Sequence, residues 1–593
     1  MKKELCLLRE QMKKHNIQAY LIPTDDFHGS EYVGEYFKCR SFISGFTGSA
    51  GTLLVMEDMA GLWTDGRYFI QAASQLAGSG ISLYKMGEPG VPTIAEYLKE
   101  NLKEGMTFAF DGRCMMESNA DVYREIVTEN GASIETGYDL VDAIWEDRPS
   151  LSKEPAWILE EKYSGKSSRE KIAVIRQEME EKKADYFLLA SLDDICWLLN
   201  VRGNDVLCTL VVLSYLLMTQ EEVTWYVQSA CLTDDVRAML EKDKIIVKEY
   251  EAIYEDLEKI PAGASVLYQP SKTNAALCDK IADGVNQIKD TNPTEYHKAV
   301  KNSVEVENER IAHIKDGIAL TRFMYYLKTK AIENGESEVS LGDKLVELRK
   351  VDEHYVEESF SPIVGYEEHG ALPHYSAKPE TDRKIEEKGF LLVDTGGHYL
   401  EGTTDTTRTF VMGPISDKEK ELYTAVLRGH INLSAARFLP GCTGRNLDIL
   451  ARTPLWDLGY DYNHGTGHGV GYLLNVHEGP NSFRYRKMAT KNSDCVMEEG
   501  MITSNEPGVY LEGEFGVRLE NMVVCCKDEK YQPFLCFESL TMVPFEKEAI
   551  LVERMTEKEI QWLNEYHATV YEKVSPALSE EEKAWLCDVT APL

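Results

Sequence analysis

The stretch Gly389-Phe-Leu-Leu-Val-Asp-Thr-Gly-Gly-His-Tyr-Leu-Glu-Gly-Thr-Thr-Asp-Thr-Thr-Arg-Thr-Phe410 decides the fold of the last third of this chain. Its apolar run 390–393 predicts a buried strand, the glycine pair offers a turn, and the β-branched residues of 404–411 predict a second strand. The two strands would form an antiparallel hairpin, with Asp394 at the end of the first and Asp405 in the second. Both carboxylates would then face one point, although Asp394 is equally consistent with a residue that caps a turn.

Three histidines lie in the stretch Asn463-His-Gly-Thr-Gly-His-Gly-Val-Gly-Tyr-Leu-Leu-Asn-Val-His-Glu-Gly-Pro480, namely His464, His468 and His477. The alternating glycines let the backbone pack tightly and suggest a loop that cradles phosphate. No Gly-Lys-Ser/Thr ending follows them, which disfavours that interpretation. A hydrogen-bonded core network of histidines is an alternative, but with carboxylates gathered nearby a metal-binding or catalytic role is favoured.

Two further carboxylates stand in apolar surroundings. Glu506 precedes Pro507, which should end a strand. Glu520 is expected inside an apolar strand, on the same face as Arg518. A buried carboxylate needs a cationic partner, so Glu520 either binds a metal or forms an ion pair with Arg518.

The sequence thus offers five candidate metal ligands: Asp394, Asp405, His468, Glu506 and Glu520. Four carboxylates and one imidazole suit a pair of hard or borderline divalent cations. The single nitrogen shifts the preference toward Mn²⁺, Co²⁺ or Zn²⁺.

Size and composition limit the possible classes of protein. A chain of 593 residues exceeds what one hydrophobic core usually supports, and its net charge of −35 disfavours nucleic acid and anionic membranes as partners. The 13 cysteines show no CxxC pair and no disulfide framework, and the N-terminus lacks a secretory pattern. The longest apolar stretch, 206–218, falls short of the roughly 20 residues that span a membrane. We therefore expect a reduced, cytoplasmic protein.

An internal similarity suggests two related α/β domains. In both 8–26 and 175–194, an amphipathic helix leads into a short buried strand and then an acidic pair, although chance similarity is an alternative. Polar stretches with prolines, 146–155 and 290–295, are typical of linkers. The predicted domains are therefore 1–150, 151–295 and 296–593.

Together these stretches resemble the pita-bread family of proline peptidases, and most closely its long, three-domain Xaa-Pro aminopeptidases. The resemblance continues through Arg40-Ser-Phe-Ile-Ser-Gly-Phe-Thr-Gly-Ser-Ala-Gly-Thr52, Leu62-Trp-Thr-Asp-Gly-Arg-Tyr-Phe69 and Ser191-Leu-Asp-Asp-Ile-Cys-Trp-Leu-Leu-Asn-Val-Arg-Gly-Asn-Asp205. The spacing of His468 and His477 is that of the three-domain branch. The resemblance implies an α/β (α+β) fold, in which two related creatinase-like domains are followed by a pita-bread catalytic domain with a C-terminal extension.

The resemblance implies a dinuclear metallo-aminopeptidase that releases the first residue from peptides with proline in second position, through attack by a metal-bridging hydroxide. Asp394 would bind one metal, His468 and Glu506 the other, and Asp405 and Glu520 would bridge the two. Mn²⁺ is the expected metal, with Zn²⁺ and Co²⁺ as alternatives. A homodimer is implied as well.

The resemblance also assigns roles around the metals. Glu506 would be the general base, and His477 would steady the tetrahedral intermediate. His374 would bind substrate near the scissile bond, and His464 would form a wall of the proline-side pocket. Arg518 would orient a bridging carboxylate.

Two other functions are weighed against this one. A prolidase would use the same metals and bond but accept dipeptides only, and the three-domain length disfavours it. A non-catalytic pita-bread binding protein is disfavoured because all five ligands are retained, and buried acids without cations would repel one another.

Overall fold

The computed structural model describes residues 2–487 and 494–593, which form two units. The first unit comprises residues up to Leu159 together with Lys166–Thr294, and the second comprises Glu160–Gly165 together with Glu295–Leu593. The helix Pro293–Ala299 contains the border between them. The division into three domains stays a prediction.

Two six-stranded sheets of the first unit have the same strand order and the same strand directions. In each, the first strand along the chain lies inside the sheet, pairing antiparallel on one side and parallel on the other. In spatial order, the first sheet contains Ser82–Lys85, Ala60–Thr64, Thr52–Met56, Ala19–Pro23, Thr107–Phe110 and Ser133–Glu135. The second contains Ile246–Lys248, Val223–Val227, Ser214–Met218, Tyr186–Leu189, Ser265–Tyr268 and Asn286–Lys289. This shared topology agrees with the internal similarity of the sequence.

Helices pack against these sheets through apolar faces. The amphipathic helices Lys3–Lys14 and Ser168–Glu181 each precede the inner strand of their sheet, as predicted. The remaining helices of the first unit are Cys39–Ser44, Phe69–Gln75, Ile94–Asn101, Glu117–Glu129, Leu192–Leu199, Asp234–Asp243, Ala252–Leu257 and Ala275–Cys278. A short antiparallel pair joins Trp157–Ile158 to Val201–Arg202.

Antiparallel strands build the second unit. Its six-stranded sheet contains, in spatial order, Arg437–Phe438, Leu535–Ser539, Asn521–Lys527, Ile502–Asn505, Gly467–Gly469 and Glu478–Phe483. One three-stranded sheet contains Ile363–Tyr366, Phe390–Thr395 and Thr406–Val411, and another contains Tyr355–Glu358, Gly397–Tyr399 and Gly402–Thr403. A two-stranded ribbon joins Gly508–Leu511 to Phe515–Arg518.

Long helices cover these strands. They are Ser303–Tyr326, which continues as the π-helical turn Leu327–Ala331, and Glu338–Arg349, Asp417–Ser434, Gly444–Trp456, Glu557–Val574 and Glu580–Val589. Asn302 begins the first of these, because its side chain accepts from two backbone amides while Glu305 accepts from the amide of Asn302. Apolar side chains such as Val426, Leu563 and Val570 are buried in the core between helices and strands.

All 13 cysteines are free thiols. Within 2–487 and 494–593, no helix combines the length and the apolar character that crossing a membrane requires.

Candidate metal centre and active site

Asp394 lies in the strand Phe390–Thr395, directly opposite Thr407 of the neighbouring strand. Asp405 comes immediately before that neighbouring strand rather than inside it. The predicted turn at the glycine pair is wrong, because Gly397–Tyr399 forms a strand of a different sheet. A Cβ on Gly396 would lie 2.0 Å from the carbonyl oxygen of Thr404, so glycine is needed where the two chain segments cross closely.

Glu506 and Glu520 face each other at an interruption of one long antiparallel hairpin. Asn505 is paired with Asn521 on one side of the gap, and Gly508 with Arg518 on the other, in the same register. That register places Glu506 opposite Glu520. The interruption occurs at a proline, which cannot donate a ladder hydrogen bond. Glu520 therefore lies between two strands, and the prediction that it lies inside one is wrong.

His468 brings an imidazole to this gap from the adjacent strand. Its backbone amide donates to Ser504 Oγ at 2.9 Å, and its Nδ1 is 3.0 Å from the carbonyl oxygen of Gly469. Since a carbonyl can only accept, the proton is on Nδ1. The other nitrogen, Nε2, is 3.5 Å from Asp405 Oδ2 and 3.5 Å from Glu506 Oε1.

The candidate ligands therefore converge on one place. One ligand atom each from Asp405, His468 and Glu520 lies within 4.8 Å of the others. Asp394 is 13% exposed at its side chain, and its Oδ1 is buried without a hydrogen-bond partner in the described part of the chain. Oxygen-rich donors, one imidazole and an unsatisfied carboxylate oxygen fit divalent cations of the Mn²⁺ type.

The electrostatics of the metal-free cluster are unfavourable. Burial, and then the charges of Asp394 and Glu506, raise the pKa of Asp405 well above its ordinary value. Burial, and then the charges of Asp405 and Glu506, do the same for Glu520. Burial raises the pKa of Glu506 to about 7, while Arg518 opposes the rise and Asp394 adds to it. A cation would relieve this repulsion.

Arg518 pairs with Asp394, not with Glu520. Its Nη2 lies 2.6 Å from Asp394 Oδ2, and its Nε donates to Thr407 Oγ1 at 3.1 Å. The hydroxyl of Thr407 in turn donates to Glu520 Oε2 at 2.7 Å. The predicted alternative of an Arg518–Glu520 ion pair is therefore wrong, and Arg518 reaches Glu520 only through Thr407.

Tyr510 and Thr407 are site residues that the sequence did not reveal. The Tyr510 hydroxyl is 2.9 Å from His464 Nε2 and 2.8 Å from Arg518 Nη1. Tyr510 follows Glu506 by four residues on the hairpin, which is the signal that a prediction could have used. No comparable signal marks Thr407, whose role depends on the pairing of distant strands.

His464 lies at the edge of the cluster. Its Nδ1 is 2.7 Å from the carbonyl oxygen of Gly465 and 3.9 Å from Glu506 Oε2. Burial, followed by the positive charge of Arg518, lowers the pKa of His464 to about 3, so the ring is neutral at physiological pH.

His477 lies beside His468. Their ring centroids are 4.4 Å apart and nearly perpendicular. The next residue, Glu478, is held by two buried lysines: Lys298 Nζ at 2.9 Å and Lys301 Nζ at 2.5 Å. These ion pairs fix the backbone from which the His477 imidazole projects.

His374 is exposed, on a loop whose two sides are tied to one buried carboxylate. Glu338 is 2.8 Å from His369 Nδ1 and accepts from the Tyr375 hydroxyl at 2.9 Å. The carbonyl oxygen preceding His374 accepts from Arg518 Nη2 at 3.4 Å. The charge of a protonated His374 would also lower the pKa of His464, after the larger effects of burial and of Arg518.

Models of known protein families match nearly the whole of this chain. The sequence model of metallopeptidase family M24 matches 307–527, and that of the C-terminal region of the same family matches 533–593. Models of the creatinase/prolidase N-terminal domain match 5–143 and 147–305.

A probable Xaa-Pro aminopeptidase P from Laccaria bicolor is 39% identical over 99% of this chain and 93% of its own length. The chain belongs to the Xaa-Pro aminopeptidase family of M24 metallopeptidases. The predicted family and the predicted fold class, two creatinase-like domains before a pita-bread domain, are confirmed. The chain is thus a metallopeptidase.

Two solved structures are similar to the structure of this aminopeptidase-family chain. The X-prolyl aminopeptidase of Caenorhabditis elegans, described as a cytosolic enzyme with a di-nuclear active site, covers 100% of both chains at 33% identity, with a TM-score of 0.92. An Xaa-Pro dipeptidase from Bacillus anthracis covers 64% of this chain and 99% of its own at 23% identity, with a TM-score of 0.52. The second likeness shows the fold alone.

Proposed function

We propose that this chain is an Xaa-Pro aminopeptidase that uses two divalent cations to release the first residue from peptides with proline in second position. The observation that carries the proposal is the convergence of carboxylates and one imidazole at the hairpin gap, in a chain that aligns with such aminopeptidases over nearly its whole length. The proposed ligands are Asp394, Asp405, His468, Glu506 and Glu520.

The cations would supply Lewis acidity and lower the pKa of a water held between them. Asp394 would hold one cation, and His468 and Glu506 the other, while Asp405 and Glu520 would be shared. The donor set favours Mn²⁺, with Zn²⁺ and Co²⁺ as alternatives.

Glu506 would move the proton. Its Oε1 accepts from the Ser504 hydroxyl at 3.2 Å, which leaves Oε2 on the side of His464. The carboxylate would take a proton from the attacking water and deliver it to the proline nitrogen as the peptide bond breaks.

The surrounding side chains would orient the peptide. His477 would donate to the carbonyl oxygen as it gains negative charge, and His374 would contact the substrate near the scissile bond. The neutral ring of His464 would form a wall beside the proline ring. Arg518 would hold Asp394 in place through its short ion pair.

Proline explains why a dedicated site is needed. An Xaa-Pro bond lacks an N–H, and the pyrrolidine ring fixes the local backbone. A peptidase that recognises an ordinary amide N–H would fail on such a bond.

A dipeptidase remains the second candidate, because the catalytic fold is shared with the Bacillus anthracis enzyme. That enzyme aligns over nearly all of its own length while leaving more than a third of this chain unmatched, whereas the Laccaria bicolor aminopeptidase spans 99% of it. This difference favours the aminopeptidase. The likeness to the Caenorhabditis elegans enzyme, which is described as cytosolic, supports a cytoplasmic location, and the homodimer implied by the family resemblance stays a prediction.

Metal analysis combined with a peptide panel tests the proposal. We expect about two metal ions per chain, cleavage of Ala-Pro-Pro and of longer Ala-Pro peptides to release alanine, and no cleavage of Ala-Ala-Ala. Chelation should abolish cleavage, and Mn²⁺ should restore it best. Cleavage of Ala-Pro but not of Ala-Pro-Pro would establish the dipeptidase instead, and full activity after complete metal removal would refute the metal mechanism.

A further inference from the structure

Arg484 lies beside the candidate active site and has no hydrogen bond or ion pair with any residue of 2–487 or 494–593. It follows the strand Glu478–Phe483 and is only partly exposed. Its guanidinium lies flat against Gly465, where an added Cβ would be 2.8 Å from Nη2 and 3.2 Å from both Cζ and Nε. A guanidinium that is partly withdrawn from water and has no protein acceptor among these residues keeps its donors available for a ligand.

The backbone ties Arg484 closely to Glu506. The amide of Thr466 donates to the carbonyl oxygen of Phe483 at 2.9 Å, and the amide of Glu506 donates to the carbonyl oxygen of Thr466 at 2.8 Å. These two hydrogen bonds place Phe483, Thr466 and Glu506 side by side on three neighbouring chain segments, and Arg484 follows Phe483 directly. Burial lowers the pKa of Arg484, and the negative charge of Glu506 opposes this change, so the charges of the two side chains interact.

The neighbouring arginines differ from Arg484. The guanidinium of Arg452 already has acceptors within the protein. It contacts Asp448 at 2.7 Å and Asp461 at 2.7 Å and also donates to backbone carbonyls. Arg486 is exposed, and its Nε donates to the Tyr485 hydroxyl. Only Arg484 among these three combines partial burial with unused donors.

We propose that Arg484 binds an oxygen acceptor of the substrate on the C-terminal side of the proline, and so selects peptides by the group that lies beyond the proline. The inference rests on the proposed function, in which His464 forms a wall of the proline pocket, because the guanidinium of Arg484 lies against the next residue, Gly465. The acceptor is either the free carboxylate of a tripeptide or the backbone carbonyl of a longer peptide. A planar guanidinium suits both, and binds the carboxylate more strongly.

The tripeptide has a particular need for this contact. The chain carries a net charge of −35, so the negative end of a short peptide is repelled. A positive group beyond Glu506 would offset that repulsion where the C-terminus lies.

Kinetics of Arg484→Gln on matched substrates tests the proposal. The substrates are Ala-Pro-Ala, its C-terminal amide and Ala-Pro-Ala-Ala-Ala, with Arg486→Gln as the exposed control and metal content measured for every protein. We expect Arg484→Gln to raise the KM for at least one of these substrates about tenfold or more, with kcat little changed, because a charge-assisted hydrogen bond is lost. Arg484→Lys keeps the positive charge but cannot donate two parallel hydrogen bonds as a guanidinium does, so it should raise the KM by a smaller factor.

The three substrates distinguish the two acceptors. A loss confined to Ala-Pro-Ala identifies the free carboxylate, and an equal loss on all three identifies the backbone carbonyl. If Arg484→Gln behaves like Arg486→Gln on every substrate, or lowers only kcat, the proposal is overturned while the proposed function stands. If the unmodified protein cleaves none of these peptides with metal bound, the proposed function itself has failed.

Discussion

Replacing Glu506 with glutamine should stabilise the metal-free protein at alkaline pH, although it damages the active site. Burial raises the pKa of Glu506 from 4.5 to about 7, with Arg518 opposing the rise and Asp394 adding to it. Keeping this carboxylate ionised in the folded protein above that pH therefore costs about 3 kcal/mol, at roughly 1.4 kcal/mol for each unit of pKa. Glutamine has nearly the same shape and carries no charge, so it avoids this cost.

The pH dependence has a definite sign. Because the pKa of Glu506 is higher in the folded state, the folded protein retains a proton that the unfolded chain releases between pH 4.5 and about 7. The stability of the metal-free protein therefore decreases as the pH rises through this window and levels off above it. The advantage of Glu506→Gln should be near zero at about pH 4 and reach about 3 kcal/mol at about pH 8, or on the order of 5 °C in the unfolding midpoint of a unit this size.

Thermal unfolding of both proteins across this pH range, first with a chelator and then with Mn²⁺, checks the prediction. Metal should raise the midpoint of the unmodified protein and raise that of Glu506→Gln much less. Glu512→Gln is the matched control, since Glu512 is exposed at the turn of the same hairpin. A metal-free Glu506→Gln protein that is less stable than the unmodified one at alkaline pH would refute the idea that repulsion dominates at this site.

Three further changes give separate expectations. Asp405→Asn should abolish turnover and reduce bound metal while leaving the circular dichroism spectrum unchanged, and full activity would refute its bridging role. Glu338→Gln should lower kcat/KM about tenfold at unchanged metal content, because the loop that carries His374 loses its charged anchor; an unchanged kcat/KM would show that the loop needs no such anchor. Arg349→Met should lower the free energy of unfolding by about 3–5 kcal/mol, measured by denaturant titration, because it leaves Asp316 buried without its partner. Adding Asp316→Asn should recover part of that loss, and no recovery would count against the ion pair as its cause.

Much of this site could be predicted because its ligands have local signatures. Asp394 ends an apolar run, His468 stands among glycines, and Glu506 precedes a proline, so each position is marked by its immediate neighbours. Similarly, the inner strands of the first unit were visible as short buried runs that follow amphipathic helices. These features depend on residues only a few positions apart.

The contacts that the sequence could not supply depend on strand register. The partner of Arg518 is Asp394, 124 residues earlier in the chain, although Arg518 and Glu520 both contact the Thr407 hydroxyl. The strand ends at Arg518 and the next one begins at Asn521, and alternation along the chain could not show which distant carboxylate the guanidinium of Arg518 would meet. The predicted turn between Asp394 and Asp405 was wrong for a related reason. Gly396 is needed where two chain segments cross closely, and the chain does not reverse its direction there.

The register at the hairpin gap also explains why metal binding and folding should be linked. Glu506 and Glu520 face each other only if the paired strands on both sides of the gap are formed. His468 reaches them from the adjacent strand, and Asp405 from the residue before the strand Thr406–Val411. The unfolded chain holds these groups far apart and therefore binds the cations weakly, so each bound cation stabilises the folded state by mass action. The same four carboxylates that strain the metal-free protein would then stabilise it once the cations are bound, and loss of metal should show as a lower unfolding midpoint before any change in the first unit.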